Sequence, residues 1–399
     1  MRRFAFALAA FPLVASAQQQ VVKPPIAVYW MSAETAAGMS MPGMPAMAAG
    51  MMGGSGRGGG QSGRHLLLQL GSQQAAGGAP KAEHDIPPGM NMGPMLPLVT
   101  PQRQPVESDR TRPQGMERPR GKMLLYWGCG ENVRPGQPVV IDFAGAAEGK
   151  SPAGLASHYV SRPAGPGPGR SKTYGDWPNQ ENPMIVPESA SLRGDHVVKG
   201  NYSPEIKFAL DKDFLARVEL AATGGTVRWN SIAGATGYFA TLFGAQSENE
   251  VVMWSSSEVQ EMGGGLMDYI PPAEVARLIR EKVVMPTATL ECTVPGEVLK
   301  KAGTPMFNFI AYGEEANFVQ PPRPQDPKVA WEQKWTAKVR FKSTASLLLG
   351  EGGEGRSQRA RQQQQPQQPQ GQPPAEQAKP AEPDPVKEGV NILRGIFGR

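Results

Sequence analysis

Proline and glycine interrupt nearly every apolar stretch of this chain, and that punctuation holds it to short elements. With 48 Gly and 40 Pro in 399 residues, more than a fifth of the sequence disfavours helix. Between the interruptions, branched and aromatic residues come in runs of about four to eight, the signature of strands. "IAVYWM" (26–31) and "RHLLLQLGS" (64–72) are two such runs, the second with Leu66, Leu68 and Leu70 on one face. "MLPLVTP" (95–101), "KMLLYWGC" (122–129) and "QPVVIDFA" (137–144) add three more. From Pro204 onward follow "EIKFAL", "FLARVELAA", "TVRWNSI", "GYFATLFGA", "EVVMWSSS", "ATLECTV", "MFNFIAYGE" and "WTAKVRFKS". One exception is "PPAEVARLIREKV" (271–283): Pro271 and Pro272 open it, and Val275, Leu278 and Ile279 share a face, which predicts a short helix.

The expectation is therefore an all-β protein with two β-sandwich-like domains, at 18–144 and 204–348. Residues 36–63, Met- and Gly-rich with neither helical nor strand period, read as a flexible insertion in the first. Residues 145–203 read as an extended Pro/Gly-rich connector, tethered by the rings of Tyr174 and Trp177. "VRWNSIAGATGYFATLFG" (227–244) resembles two successive strands of a fibronectin type III or related immunoglobulin-like domain, with Trp229, Ala235 and Tyr238 at the matching positions. Phe307, Phe309 and Ala311 resemble a later strand of the same fold. The resemblance covers about 205–345, and the helix at 271–283 departs from it. It implies a domain that holds or presents surfaces; it implies no catalytic site.

The ends of the chain carry address signals. Arg2 and Arg3, an apolar run from Phe4 to Val14 and the small-x-small motif Ala15-Ser16-Ala17 together read as a signal peptide over 1–17. That run is shorter than the ~20 residues that span a bilayer, so the mature chain is expected to be periplasmic or secreted, with no transmembrane span. Residues 349–385 hold almost no large apolar side chains and are expected to be disordered. The last segment, 386–399, recovers an amphipathic period, with Val386, Val390, Leu393, Ile396 and Phe397 as its apolar residues. A tip of this kind on a tether suits docking to an envelope protein or a membrane surface, or folding back on its own domains. A formal charge of +5, spread along the chain, implies no nucleic-acid partner.

Chemistry-bearing residues are few. Cys129 and Cys292, outside any Cys-x-x-Cys motif, allow one disulfide in an oxidising compartment or two separate packed thiols. His65, His84, His158 and His196 show no ligand spacing, and no Gly-x-Ser-x-Gly elbow occurs. The "GPGPGR" run (165–170) lacks the amide donors and the Gly-Lys-Ser/Thr of a phosphate loop. Two Met clusters, Met39, Met41 and Met44, then Met90, Met92 and Met95, have the spacing with which thioethers wrap Cu(I). Met is equally an apolar filler. Trp30, Trp127 and Trp254 each end a strand-like run and are followed four residues later by Glu34, Glu131 and Glu258, which reads as a repeated strand-then-turn habit. The function expected is non-catalytic binding or scaffolding in the cell envelope without a cofactor; copper handling through the Met clusters and a hydrolase activity are the alternatives.

Overall fold

The computed structural model describes residues 20–40, 62–101, 121–143, 145, 158–182, 185–247 and 249–350. The expected signal peptide, most of the 36–63 insertion, the tail beyond Gly350 and the tip at 386–399 lie outside them. In chain order the elements are β1 (Val22–Lys23), β2 (Ala27–Ser40), β3 (Gly63–Ser72), β4 (Ala82–Asp85), β5 (Met95–Leu98), β6 (Lys122–Trp127) and β7 (Val139–Asp142). They continue with β8 (Thr173–Trp177), β9 (Gly194–Gly200), β10 (Ser203–Leu210), β11 (Leu220–Thr223), β12 (Thr226–Trp229), β13 (Ala235–Ser247) and β14 (Glu250–Ser255). Helix α1 (Pro272–Arg280), β15 (Glu291–Thr293), helix α2 (Gly296–Ala302), β16 (Met306–Gln320), β17 (Trp331–Glu332) and β18 (Trp335–Leu348) complete the chain.

The all-β expectation holds, and α1 falls where its period and its two prolines place it. One nine-stranded sheet, ordered β7-β6-β14-β13-β16-β18-β2-β3-β8, forms the spine. Two smaller sheets, β10-β9-β4-β5 and β11-β12-β15, contribute their apolar faces to the same core. Strict alternation drives this arrangement. Along β18, Ala337, Val339, Phe341, Ala345 and Leu347 are buried in that core, while Lys338, Arg340, Lys342 and Thr344 point to the other face. On β2 the same alternation sends Tyr29, Met31 and Ala33 inward and Trp30, Ser32 and Glu34 outward. The outer face over β13 and β16 has its own apolar patch, where Val275 and Leu278 of α1 meet Phe239 and Ile310.

Three expectations need correction. The strands of 18–144 do not form a separate sandwich sheet: β2 runs parallel beside β18, and β6 runs parallel beside β14. The open edges of the C-terminal sheet carry unpaired backbone donors and acceptors, and the N-terminal hairpins satisfy them. The 145–203 connector is not an irregular strap, because Thr173–Trp177 and Gly194–Gly200 are strands that extend the large and the four-stranded sheet. Tyr174 and Trp177 are buried there as strand residues. Finally, Ala36–Ser40 belong to β2 and not to the insertion, since the ladder with β18 continues to the Leu347–Ser40 pair.

Candidate functional site

Where the chain crosses from the four-stranded to the three-stranded sheet, residues 211–217 roof a cleft of about 540 Å³. Thr35 of β2 and Phe341 of β18 reach it from the large sheet, and Phe214 and Leu215 supply apolar lining. Asp213 builds the wall: its carboxylate accepts Ser191 Oγ (2.5 Å), the Leu192 amide (3.0 Å) and the Phe214 amide (2.8 Å). Thr35 Oγ1 donates to the Leu215 carbonyl at 2.7 Å, fixing the roof to the sheet. Around the rim most charges are already committed. Arg217 pairs with Glu188 at 2.9 Å and Lys212 with Glu314, and Arg64 donates to the Ala190 carbonyl with its guanidinium 5.0 Å from the Phe214 ring centroid. Arg193 and Asp211, both exposed, have no side-chain partner among the described residues and are the two charges a ligand could meet. The cleft size lies in the range of small-ligand sites, and its junction position is typical of them.

Beneath the cleft a buried hydrogen-bond chain joins the two layers. Tyr29 OH meets His84 Nδ1 at 2.8 Å, His84 Nε2 meets His196 Nδ1 at 3.0 Å, and His196 Nε2 meets the Leu192 carbonyl at 2.7 Å. A carbonyl only accepts, so His196 carries its proton on Nε2 and its Nδ1 must accept from His84. That leaves His84 Nδ1 to accept from the Tyr29 hydroxyl. Every group is satisfied with both imidazoles neutral. Burial lowers the pKa of His84, helped by His196, and burial also lowers that of His196 against the Leu192 bond and Asp195. The chain ends on Leu192, whose amide is held by the cleft-wall carboxylate of Asp213.

His158 presents a base-and-orienter geometry: its Nδ1 meets the buried Glu261 carboxylate at 2.9 Å, and the same carboxylate accepts the His158 and Gly263 amides. Ser255 belongs to the same polar cluster, but it is buried and its hydroxyl donates to the Glu261 carbonyl, not to the ring. Ser255 is therefore not aligned with the His158 ring.

The residues singled out from sequence meet different fates. Met90 and Met92 are buried in the main core, whereas Met95 on β5 is exposed, so the second cluster is divided between core and solvent. Met39 is the penultimate residue of β2; Met41 and Met44 lie outside the described residues, as do Val386, Val390, Leu393, Ile396 and Phe397. Cys129 and Cys292 form a disulfide, tying the turn after β6 to the middle of β15. No sequence signal marked Asp213, Arg193 or Asp211, because their meaning depends on the β10–β11 crossover. His84 and His196 were visible as residues, but their contact needs the β4–β9 pairing. Comparison with protein-family models, with curated proteins and with solved structures found no match.

Proposed function

We propose that this chain is a non-catalytic, exported binding protein of the cell envelope that takes an extended peptide segment in the cleft between its two small sheets. The observation that carries the reading is the cleft itself. An apolar lining of Phe214, Leu215 and Phe341 lies beside one cation, Arg193, and one carboxylate, Asp211, that the described residues leave without side-chain partners. Apolar lining with a few convergent polar groups is the composition of a binding site, and two opposite charges suit a peptide carrying both signs. Export is supported by the Cys129–Cys292 bond, since such bonds persist in oxidising compartments.

The scaffold is read as a fibronectin type III-like sandwich. Its support is strand order: β11-β12-β15 on one side and β14-β13-β16-β18 on the other correspond to the A-B-E and C′-C-F-G orders of immunoglobulin-like folds. Trp229, Tyr238 and Phe309, matched from sequence, form one aromatic cluster between these layers, with Trp229 4.6 Å from Phe309 and 5.9 Å from Tyr238 by ring centroids. The C-terminal tip is assigned the role of docking a second envelope partner.

Selection of a random peptide-phage library on the full chain tests the cleft. Enriched peptides should carry at least one acidic and one basic residue. They should lose binding to an Arg193→Glu/Asp211→Lys variant that keeps the wild-type melting temperature. Peptides that bind the variant as tightly as the wild type overturn the assignment. For the tip, deletion of 386–399 should abolish co-purification of the envelope partner, and unchanged recovery refutes that role.

A further inference from the structure

The outer face of the large sheet carries a second constellation, on the side away from the cleft. Arg340 of β18 stands opposite Ser32 of β2 in the parallel ladder and donates from Nε to Ser32 Oγ at 2.7 Å. Its guanidinium carbon lies 4.7 Å from the Trp30 ring centroid and 4.3 Å from that of Tyr269. Trp30 cannot swing away, because the chain at Gly165 lies directly against it: a Cβ there would stand 2.7 Å from Trp30 Cε3. The neighbouring cations are each occupied. Lys338 pairs with Glu315, Lys342 lies 3.2 Å from Glu34 and 3.6 Å from Asp268, and Arg162 donates to the Gly265 carbonyl.

Arg340 differs from them. Among the described residues it has no salt-bridge partner, and its two Nη groups make no hydrogen bond to protein. Burial lowers its pKa, with Tyr269, Asp268 and Glu315 acting in the opposite sense, yet a guanidinium stays charged at physiological pH. A half-buried, permanently charged group with unfilled donors has lost solvation that only an acceptor can restore.

We propose that Arg340 is the centre of a carboxylate-binding site, in which the Nη pair takes both oxygens of a carboxylate while Trp30 and Tyr269 hold the guanidinium by its faces. Fork-to-fork geometry matches two oxygens to two nitrogens. Ring contacts on the guanidinium direct an approaching group into its plane, which a flat carboxylate fits better than a tetrahedral oxyanion. Glu34, Asp268 and Glu315 are already paired with Lys342 and Lys338, so the preference for a carboxylate over a phosphate rests on the planar approach between the two rings. This reading stands independently of the cleft.

Nitrogen-15 NMR of the full chain, following the arginine Nε–H and tryptophan indole signals, tests it with sodium acetate and sodium phosphate at matched ionic strength. Acetate should move the Arg340 Nε–H and Trp30 indole signals along one saturable curve, with phosphate at least about tenfold weaker. Arg340→Lys, which keeps the charge but not the fork, should abolish the acetate response at Trp30. A folded Tyr269→Leu variant should weaken acetate by about threefold or more through loss of one ring contact. The proposal falls if acetate gives no saturable shift, if phosphate binds as well as acetate, or if either variant responds like the wild type.

Discussion

The buried Tyr29–His84–His196 chain should make this protein lose stability steeply as pH falls below the ordinary histidine range. Both imidazoles are neutral in the native state, because each already donates one proton and accepts another, and burial lowers both pKa values. In the unfolded chain they return to about 6.5. Above that pH neither state binds the protons and stability is fully present. Below it the unfolded state takes up protons that the native state refuses, so stability falls with pH until the native pKa values are reached. Each histidine withheld in this way removes at most ~1.36 kcal/mol per pH unit, so between pH 6 and pH 5 the pair sets an upper bound of about 2 to 3 kcal/mol. The groups facing the pair are Tyr29 on β2, Phe208 on β10 and, acting on His196, Asp195; its Coulombic pull only partly offsets burial. Urea unfolding followed by tryptophan fluorescence at a series of pH values gives the slope directly. A His84→Gln/His196→Gln variant gives the background from the rest of the chain. The difference between the two slopes carries the prediction; equal slopes, or wild-type stability flat from pH 8 to 5, would refute the neutral-pair reasoning. The single variants supply the slope if the double variant does not fold. Because Leu192 joins this chain to the Asp213 wall, peptide affinity in the cleft should hold through this window and decline only once pH falls to the native-state pKa values of the pair.

Two further outcomes follow from buried groups. Cys129 and Cys292 close a loop with a sequence separation of 163; reducing the bond should lower unfolding free energy by about 3–5 kcal/mol by the chain-entropy argument, measured by urea unfolding with and without reductant. Tyr202 OH is buried without a partner among the described residues, whereas Tyr29 OH is bonded to His84. Tyr202→Phe should therefore cost nothing or stabilise, while Tyr29→Phe should cost about 1–3 kcal/mol, and calorimetry on the two variants checks the contrast.

Strands were legible because they depend on period and punctuation, which are local. Leu66, Leu68 and Leu70 alternate as read, and α1 begins at its prolines. Which strands meet was not legible. The parallel contacts β2–β18 and β6–β14 join segments whose pairing leaves no mark in either sequence; an edge strand accepts whichever partner satisfies its backbone. The same reason hid the sites. Arg340 is one more basic residue in "WTAKVRFKS" until β2 brings Ser32 and Trp30 beside it. A Met-x-Met spacing is identical for a metal loop and for a core-filling turn, so the burial of Met90 and Met92 could not be read from it.

The sequence echo at Trp30 and Trp127, each directly preceded by a tyrosine (Tyr29 and Tyr126), acquires a meaning from sheet order. Outward from the central antiparallel pair β13–β16, each side runs through an antiparallel strand, a parallel strand and another antiparallel strand: β14, β6, β7 on one side and β18, β2, β3 on the other. The two Tyr-Trp pairs sit on the two parallel strands, with Tyr29 and Tyr126 both fully buried. Trp254 does not belong to this correspondence: it lies on β14, buried in the main core, with its indole nitrogen donating to the Gly128 carbonyl at 3.0 Å. The large sheet is thus close to two-fold symmetric in strand order, yet among the described residues only the β2 side is joined by the four-stranded sheet, through β10 against β18 and β5 against β8. Trp30 has Arg340 beside it, whereas the residue paired with Trp127 across β6–β14 is Ser255, whose hydroxyl is already given to the Glu261 carbonyl. If symmetric hairpins serve to close the sheet edges, then whatever breaks the symmetry serves something else, and the cleft and the Arg340 cluster both lie on the side where it is broken.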